Sequence, residues 1–359
     1  MRRIAGIILA VLLVGGVVAA VVAGRDNEET GTATKTVRMM IGSEKAEFFA
    51  DPDVVEALAA KGYTVQADTS GSWAMEELDL GGYDLAFPSS QAPADELAAK
   101  YGARKPLPRP FYSPLVVVMR SSTASVLAAN GLATLDRGRG GTLKMGAYLD
   151  AARAGRTWQQ LKGADRHTEL TGTLYVATTD PETSNSGALY LAAVSYVAGG
   201  DRVVSSKADL ERTAPLLRTL VQVQGAQKSS SDAAFRDFTS GVGEPLVLVY
   251  ESQIAALLRE GGEAAGDMVV LYPDTTATSD HTVVPLTDAG RELGELLSGD
   301  PRLRQLAVRH GFRPQGATAE FTRATEARTA YINQRLTGVR QAPVPTSEVL
   351  REMARRARG

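Results

Sequence analysis

The chain of 359 residues contains no cysteine. Disulfide bridges, thiol chemistry, cysteine-ligated zinc and a lipid anchor on an amino-terminal cysteine are therefore excluded. Histidine is scarce as well, because His167, His281 and His310 lie far apart and no His-Glu-x-x-His helix is present. The sequence therefore predicts neither a metal site nor a cofactor.

The sequence also lacks an excess of either charge and the common catalytic signatures. A formal net charge of -2 gives no general attraction to nucleic acid. A Gly-x-Ser-x-Gly elbow, a phosphate-binding P-loop and a dinucleotide-binding glycine fingerprint are all missing. We expect a protein that is not an enzyme and does not bind nucleic acid.

Charged residues are missing from one long stretch near the amino terminus. Arg2 and Arg3 precede an uncharged run over residues 4–24, which as a helix would span roughly 30 Å, the thickness of the hydrocarbon layer of a bilayer. Residues 1–24 are predicted to be a membrane anchor, with a cleaved signal peptide as the alternative. Either segment would place the remaining chain outside the cytoplasm, after a polar linker over residues 25–35.

Three apolar strands, predicted over residues 36–41, 63–67 and 83–87, each end in a serine-bearing turn that leads into a helix. This alternation predicts an α/β fold with a parallel sheet. The carboxyl ends of parallel strands meet at one edge, where such sheets bind ligands. Ser43, Ser72 and Ser89 are therefore expected to converge.

A similar turn over residues 178–187 opens into an apolar helix over residues 188–198. Its small hydroxyl residues are good helix caps, and the unpaired N–H groups of a first helical turn can hold an anion. The alternative is an ordinary capped helix without a ligand. The rest of the chain continues as alternating strands and helices, with predicted strands over residues 245–250 and 268–272 and a basic final helix over residues 347–358.

In their order and spacing these motifs resemble the type II periplasmic solute-binding proteins, the receptors of transport systems for molybdate, sulfate and phosphate. The resemblance covers about residues 36–316 and is carried by Gly42-Ser43-Glu44, Gly71-Ser72, the segment 83–90, the turn 179–187, Tyr250-Glu251-Ser252 and the segment from Leu286 to Pro314.

The resemblance implies an α/β fold of two lobes joined by two hinge crossings, near residues 113–120 and 247–252. Lobe one would contain residues 36–115 and 252–316, and lobe two residues 116–251. Residues 317–359 would form a helical extension beyond the usual end of the family.

The resemblance also implies a membrane-tethered receptor on the extracytoplasmic side that captures a small ligand between its lobes for a membrane permease. An oxyanion is the first expectation, with an organic acid, an amino acid or a cation as alternatives. The expected ligand-binding residues are Ser43, Glu44, Ser72, Ser89, Ser90, Thr183, Ser184, Ser186, Gly187 and Glu251.

Two features leave other functions open. Glu44 and Glu251 would repel an anion unless neighbours donate hydrogen bonds to them, and they would become the partners of a cationic ligand. The anchor and the basic tail also fit a membrane-anchored sensor or interaction protein with a signalling partner. The tail would then contact anionic lipid through its arginines, whereas the alternative is a helix docked on its own domain.

Overall fold

The computed structural model describes residues 34–136, 138–261 and 265–359. The predicted membrane anchor and nearly all of the predicted linker lie outside the described residues. Within these ranges, no helix is both long enough and apolar enough to cross a bilayer.

A small sheet forms the base of lobe one. Its strands β1 (Lys35–Ile41), β2 (Tyr63–Thr69) and β3 (Leu85–Phe87) are parallel, with β1 in the middle. This arrangement confirms the predicted parallel sheet. Helices α1 (Ala46–Ala50) and α2 (Pro52–Ala59) connect β1 to β2, and α3 (Gln91–Tyr101) follows β3.

The break between α1 and α2 has a local cause. The Asp51 side chain accepts a hydrogen bond from the backbone N–H of Asp53, and Pro52 occupies the first helical position, where its missing N–H costs nothing. After β2, by contrast, the helix predicted to follow the serine-bearing turn is wrong, because the chain there forms only a short 3-10 turn over Ala74–Glu77.

A larger sheet is built around β4 (Phe111–Arg120) and forms lobe two with the helices packed on it. Its other strands are β5 (Ala133–Leu135), β6 (Gly140–Leu143), β7 (Val247–Tyr250) and β8 (Met268–Pro273). Its helices are α4 (Ser121–Ala129), α5 (Met145–Arg153), α6 (Asn185–Ala198), α7 (Lys207–Gln222), α8 (Ser231–Ser240) and α9 (Glu251–Glu260).

The second crossing between the lobes is not where the sequence placed it. Both β7 and β8 pair with the second half of β4, so the chain is still in lobe two after residue 252. It returns along β9 (Thr275–Thr276) and β10 (Thr278–His281), and β10 pairs with Phe111–Pro114 at the start of β4. The expected assignment of all of 252–316 to lobe one is therefore wrong for β8, a buried strand whose apolar pattern does not reveal which sheet it joins.

The chain then completes lobe one with β11 (Val284–Pro285), α10 (Asp288–Gly299) and α11 (Pro301–Arg309). Leu293, Leu297, Leu303 and Leu306 of these helices pack on the apolar side chains of β1 and β3. Thr287 caps α10, because its Oγ1 accepts a hydrogen bond from Gly290 N.

The carboxyl-terminal extension packs mainly on lobe two. Strand β12 (Arg313–Pro314) leads into it, and the extension contains α12 (Thr318–Ala324), β13 (Arg340–Gln341) and α13 (Ser347–Arg358). Met353, Ala354 and Ala357 of α13 are buried in the core of lobe two, and Leu350 is buried beside Trp73. The apolar side of the basic tail therefore faces the protein, in agreement with the interpretation of the tail as a helix docked on its own domain.

A buried ion pair holds the chain just before this extension. Arg313 donates two hydrogen bonds to Glu251, 2.7 Å from Nε to Oε1 and 2.8 Å from Nη2 to Oε2. The same guanidinium group donates to the carbonyl oxygens of Asn333 and Gln334. Breaking a buried pair leaves an uncompensated charge in the interior, which is far more costly than losing an exposed pair.

We therefore expect Arg313→Met to lower the free energy of unfolding by about 3–5 kcal/mol. The matched control is Arg340→Met, which removes an ion pair with Asp201. Because these two side chains are 53% and 44% exposed, the loss should lower the free energy of unfolding by less than about 1 kcal/mol. Urea denaturation measures both values. Equal losses in the two variants would contradict this role for Arg313.

Candidate functional site

Three turns of lobe one meet at the carboxyl edge of the small sheet. Ser72 Oγ lies 3.1 Å from Ser89 Oγ and accepts a hydrogen bond of 2.9 Å from Ser89 N, and Ser89 Oγ donates to Glu44 Oε1 over 2.6 Å. The turns after β1, β2 and β3 thus contact one another, as the parallel order predicts. Their convergence is confirmed.

Behind these hydroxyls lies a buried charge cluster. The Lys45 ammonium group forms an ion pair with Glu44 and lies 3.2 Å from His281 Nδ1 and 3.4 Å from Ser89 Oγ. Lys45 and His281 are completely buried. Because each charge has an opposite partner, Glu44 does not present an unbalanced negative charge to the cleft.

The surroundings fix the ionisation of this cluster. Burial alone would raise the pKa of Glu44, but the charge of Lys45 and hydrogen bonds from His281 and Lys45 hold that pKa well below its usual range. Burial, assisted by the nearby Lys45 charge, lowers the pKa of His281 to about 4. At neutral pH the cluster thus holds an ionised Glu44 and a neutral imidazole.

Lobe two meets these turns with the start of α6. Asn185 Oδ1 accepts a hydrogen bond of 2.5 Å from Ser90 Oγ of lobe one. The Asn185 amide nitrogen in turn donates to Tyr250 over 3.1 Å and to Ser279 Oγ over 3.4 Å. One amide side chain therefore bonds to both lobes and to the returning strand β10.

Backbone groups complete the contact between the lobes. The N–H groups of Trp73 and Ala74 both donate to the carbonyl oxygen of Thr183, at 3.1 and 3.3 Å. A Cβ at Gly71 would overlap this same carbonyl, so only glycine allows the approach. We call residues 71–74 the closing turn. The cleft is closed at this point.

Hydroxyl groups from both lobes line a narrow cavity beside the closing turn, with a volume of about 10 Å³ in this closed arrangement, which we call the serine pocket. The side chains that line it are Ser43, Glu44, Ser70, Ser72, Ser89, Ser184, Asn185, Ser229, Ser230, Ser231 and Tyr250. Among these described residues there is no lysine or arginine. The helices α6 and α8 both begin here, so their unpaired N–H groups add further donors.

Five of the ten expected ligand-binding residues line the serine pocket: Ser43, Glu44, Ser72, Ser89 and Ser184. Two more contact the opposite lobe. Ser90 donates a hydrogen bond to Asn185, and the carbonyl oxygen of Thr183 accepts hydrogen bonds from residues 73 and 74.

The other three have different surroundings. Ser186 Oγ lies 2.8 Å from Thr179 Oγ1, which also accepts a hydrogen bond from Gly187 N, so both residues shape the turn before α6. Glu251 is completely buried, and its carboxylate is bound by Arg313 and Tyr272. The expectation that Glu251 faces the ligand is therefore corrected, because its oxygens are used inside the protein.

Sequence reasoning missed Asn185, Lys45, His281 and the serines before α8. The run Ser229-Ser230-Ser231 precedes a helix with apolar residues at Ala234, Phe235 and Phe238, which is a recognisable start signal. For Lys45 and His281 the sequence offered no comparable signal, since 236 positions separate them and only the fold brings them together.

A two-lobed α/β molecule with a polar cleft between the lobes has the architecture of the type II periplasmic binding proteins. Similar structures include the sulfate-binding protein SubI from Mycobacterium tuberculosis H37Rv, with a TM-score of 0.56 and 15% identity over 82% of this chain and 91% of that one. The periplasmic binding protein AfuA from Actinobacillus pleuropneumoniae, with fructose-6-phosphate bound, gives a TM-score of 0.58 and 11% identity over 90% and 97%. Iron-bound HitA from Pseudomonas aeruginosa gives a TM-score of 0.54 and 12% identity over 89% of this chain and 96% of that one.

The family is established by sequence. The model of the bacterial extracellular solute-binding protein family matches residues 56–313, well over half of the chain. No curated protein matches the chain significantly. The chain belongs to the bacterial extracellular solute-binding proteins, and it is a solute-binding protein for a small ligand.

The depressed pKa of His281 makes stability depend on pH. The unfolded chain binds a proton at this residue below about pH 6.5, whereas the folded protein does so only near pH 4. The contribution of the neutral ring is thus complete above pH 6.5 and is lost as the pH falls towards 4. We expect a loss of about 2–3 kcal/mol over this interval.

The test is urea denaturation between pH 8 and pH 4 on the wild type and on His281→Asn, which retains a hydrogen-bond acceptor. The variant should lose less stability across the interval. Some slope should remain, because burial also lowers the pKa of His310. Parallel curves for the two proteins would contradict the role of His281.

Proposed function

We propose that this protein captures a small solute bearing an oxyanion group, by closing its two lobes around the serine pocket, and passes it to a membrane transporter. The observation that carries the proposal is the assembly of neutral hydroxyl and N–H donors from both lobes at one place. Residues contributed by two lobes bind a ligand together only when the lobes are closed, which couples binding to closure.

The charges near the pocket favour an anion held by neutral donors. The Lys45 ammonium group forms an ion pair with Glu44, and the Glu251 carboxylate forms an ion pair with Arg313. Hydrogen bonds to a charged ligand are each worth about 1.5–3 kcal/mol, so several hydroxyls suffice to hold an oxyanion. Burial, and then the charge of Glu44, raises the pKa of Tyr250, so its phenol stays protonated and can donate as well.

The relatives of known structure support a small polar ligand without fixing which one. SubI is described as sulfate-binding, AfuA was solved with fructose-6-phosphate, and HitA with iron. An oxyanion agrees with the first two and with the donor-rich pocket. A cationic ligand would need a carboxylate that is not already paired.

The proposal includes tethering by the apolar run over residues 4–24, on the extracytoplasmic side of the membrane, and binding without catalysis. The family consists of solute-binding proteins, which supports the second part. The sensor function is not favoured by the tail, since the apolar side of α13 is buried against the protein.

A thermal-shift series with sulfate, phosphate, molybdate, amino acids and polyamines tests the ligand class. A ligand at 100 times its dissociation constant adds roughly 2.7 kcal/mol to the stability of the folded state, which raises the melting temperature by several degrees. We expect the anions to raise it. An increase in melting temperature with polyamines alone would contradict the proposal.

Ser184→Ala is expected to weaken binding of the responding anion at least about tenfold, because it removes a donor to a charged group. Ser195→Ala is the matched control on the same helix, since its buried hydroxyl donates to Ala192 O over 3.0 Å and is not among the pocket side chains. Isothermal titration calorimetry gives both affinities. Similar affinities in the two variants would exclude Ser184 from the site.

A further inference from the structure

A second cavity opens on the other side of Glu44. Its volume is about 120 Å³, and both lobes contribute to its walls. Ser43 and Glu44 line it as well as the serine pocket, so the two spaces are neighbours. A ligand that contacts Ser43 and Glu44 is therefore adjacent to both spaces.

Two buried polar groups face this cavity without a partner in the described part of the chain. Ser252 is 2% exposed and Gln253 is 7% exposed, and neither Ser252 Oγ nor Gln253 Nε2 has a hydrogen bond. Buried polar atoms are nearly always hydrogen-bonded, because leaving one unpaired costs roughly 1–3 kcal/mol. Both side chains lie in the first turn of α9, a rigid position for contacting a ligand.

The remaining lining combines paired charges with apolar surface. Asp232 forms an ion pair with Arg236, and Glu44 is paired with Lys45, so two of the three acids of the wall are balanced by these partners. Phe48, Phe235 and Leu257 supply apolar surface. Carboxylate oxygens that accept, an amide that donates and a hydroxyl that does both suit a neutral group rich in hydroxyls.

We infer that the ligand is an organic compound with its oxyanion in the serine pocket and a polyhydroxylated remainder in this second cavity. The inference rests on the proposed function, because it assigns the anionic end of the same ligand to the serine pocket. It adds that a bare inorganic anion fills only part of the site.

The probes are glucose 6-phosphate, inorganic phosphate and sulfate, titrated into the full-length protein by calorimetry. Glucose 6-phosphate should bind at least about tenfold more tightly than inorganic phosphate. Ser252→Ala should weaken glucose 6-phosphate binding about three- to tenfold and leave inorganic phosphate binding unchanged, because Ser252 does not line the serine pocket.

The outcomes distinguish failure of this inference from failure of the proposed function. If phosphate and glucose 6-phosphate bind equally, or if Ser252→Ala changes neither affinity, the second cavity is not a subsite, while the proposed anion site stands. If none of the three probes binds, the proposed function itself is overturned and this inference with it.

The position of α13 carries a second inference, independent of any ligand. On one side α13 is fixed to lobe two, where Met353, Ala354 and Ala357 are buried and Arg358 pairs with Asp180 and Glu182. On its other side it contacts lobe one. Arg351 pairs with Glu76 and lies over the Trp73 ring, 4.9 Å from its centre.

These contacts reach the closing turn itself. Leu350 packs with Trp73 and with Ala188 and Ala192 of α6 in a small apolar cluster shared by the two lobes. Ser347 donates to Glu96 of α3, which adds a second contact to lobe one. Opening the cleft would separate Trp73 from Thr183 and would also break these contacts of α13.

The geometry points to α13 as a latch that favours the closed arrangement of the lobes. A helix that is anchored on lobe two and bonded to the closing turn of lobe one gains its second set of contacts only in the closed state. Such differential contacts shift the equilibrium between open and closed protein, and with it the apparent affinity for any ligand that needs closure.

Because the natural chain has no cysteine, Glu56→Cys in lobe one and Gln159→Cys in lobe two allow specific spin labelling of the full-length protein. The distribution of distances between the two spin labels, measured without ligand by pulsed electron paramagnetic resonance, gives the fraction of closed molecules. We expect Arg351→Ala to shift the distances towards the open form and to lower that fraction about three- to tenfold. Arg355→Ala is the control, since in the described part of the chain the ion pair of Arg355 is with Glu352 on its own helix.

Identical distance distributions for Arg351→Ala and Arg355→Ala would overturn the latch. If Arg351→Ala does not fold, Ser347→Ala combined with Glu96→Gln tests the other contact without changing the buried side of α13. A wild-type distribution in that double variant would also overturn the latch.

Discussion

A buried ammonium group must have a partner, and this requirement organises the cleft. Lys45 follows the turn after β1, and its charge is balanced by Glu44 and supported by Ser89 after β3 and His281 at the end of β10. Desolvation of an unpaired ion costs several kcal/mol, so these groups are held together as a unit. The result is a carboxylate that is ionised but internally balanced, with hydroxyl groups in front of it.

The position of this cluster explains why lobe one and the returning strand form a stable unit. His281 comes from β10, which pairs with the first half of β4, so the charge cluster connects the small sheet to the crossing strands. Lobe two meets this unit through groups that require close approach, the Thr183 carbonyl opposite Gly71 and the Asn185 amide opposite Ser90. The closed arrangement of the two lobes therefore depends on a few short polar contacts beside the unit formed by lobe one and β10.

Much of lobe one could be predicted from local patterns. The spacing of apolar residues gave β1 and β2 close to their observed bounds, and the serine-bearing turns marked where the strands of lobe one end. Local patterns failed where tertiary context decides the conformation. The turn after β2 was predicted to lead into a helix, but the chain there forms only a short 3-10 turn.

The sequence by itself determined that the chain alternates strands and helices, that serine turns end the first three strands, and that these turns meet at one edge. It did so because the order of parallel strands and the polarity of turns are local properties. Only the tertiary structure decided that Glu251 belongs to a buried pair with Arg313, that β8 remains in lobe two, and that His281 joins Lys45. Such partners are distant in the chain, and their pairing is set by packing and charge compensation, which no local pattern records.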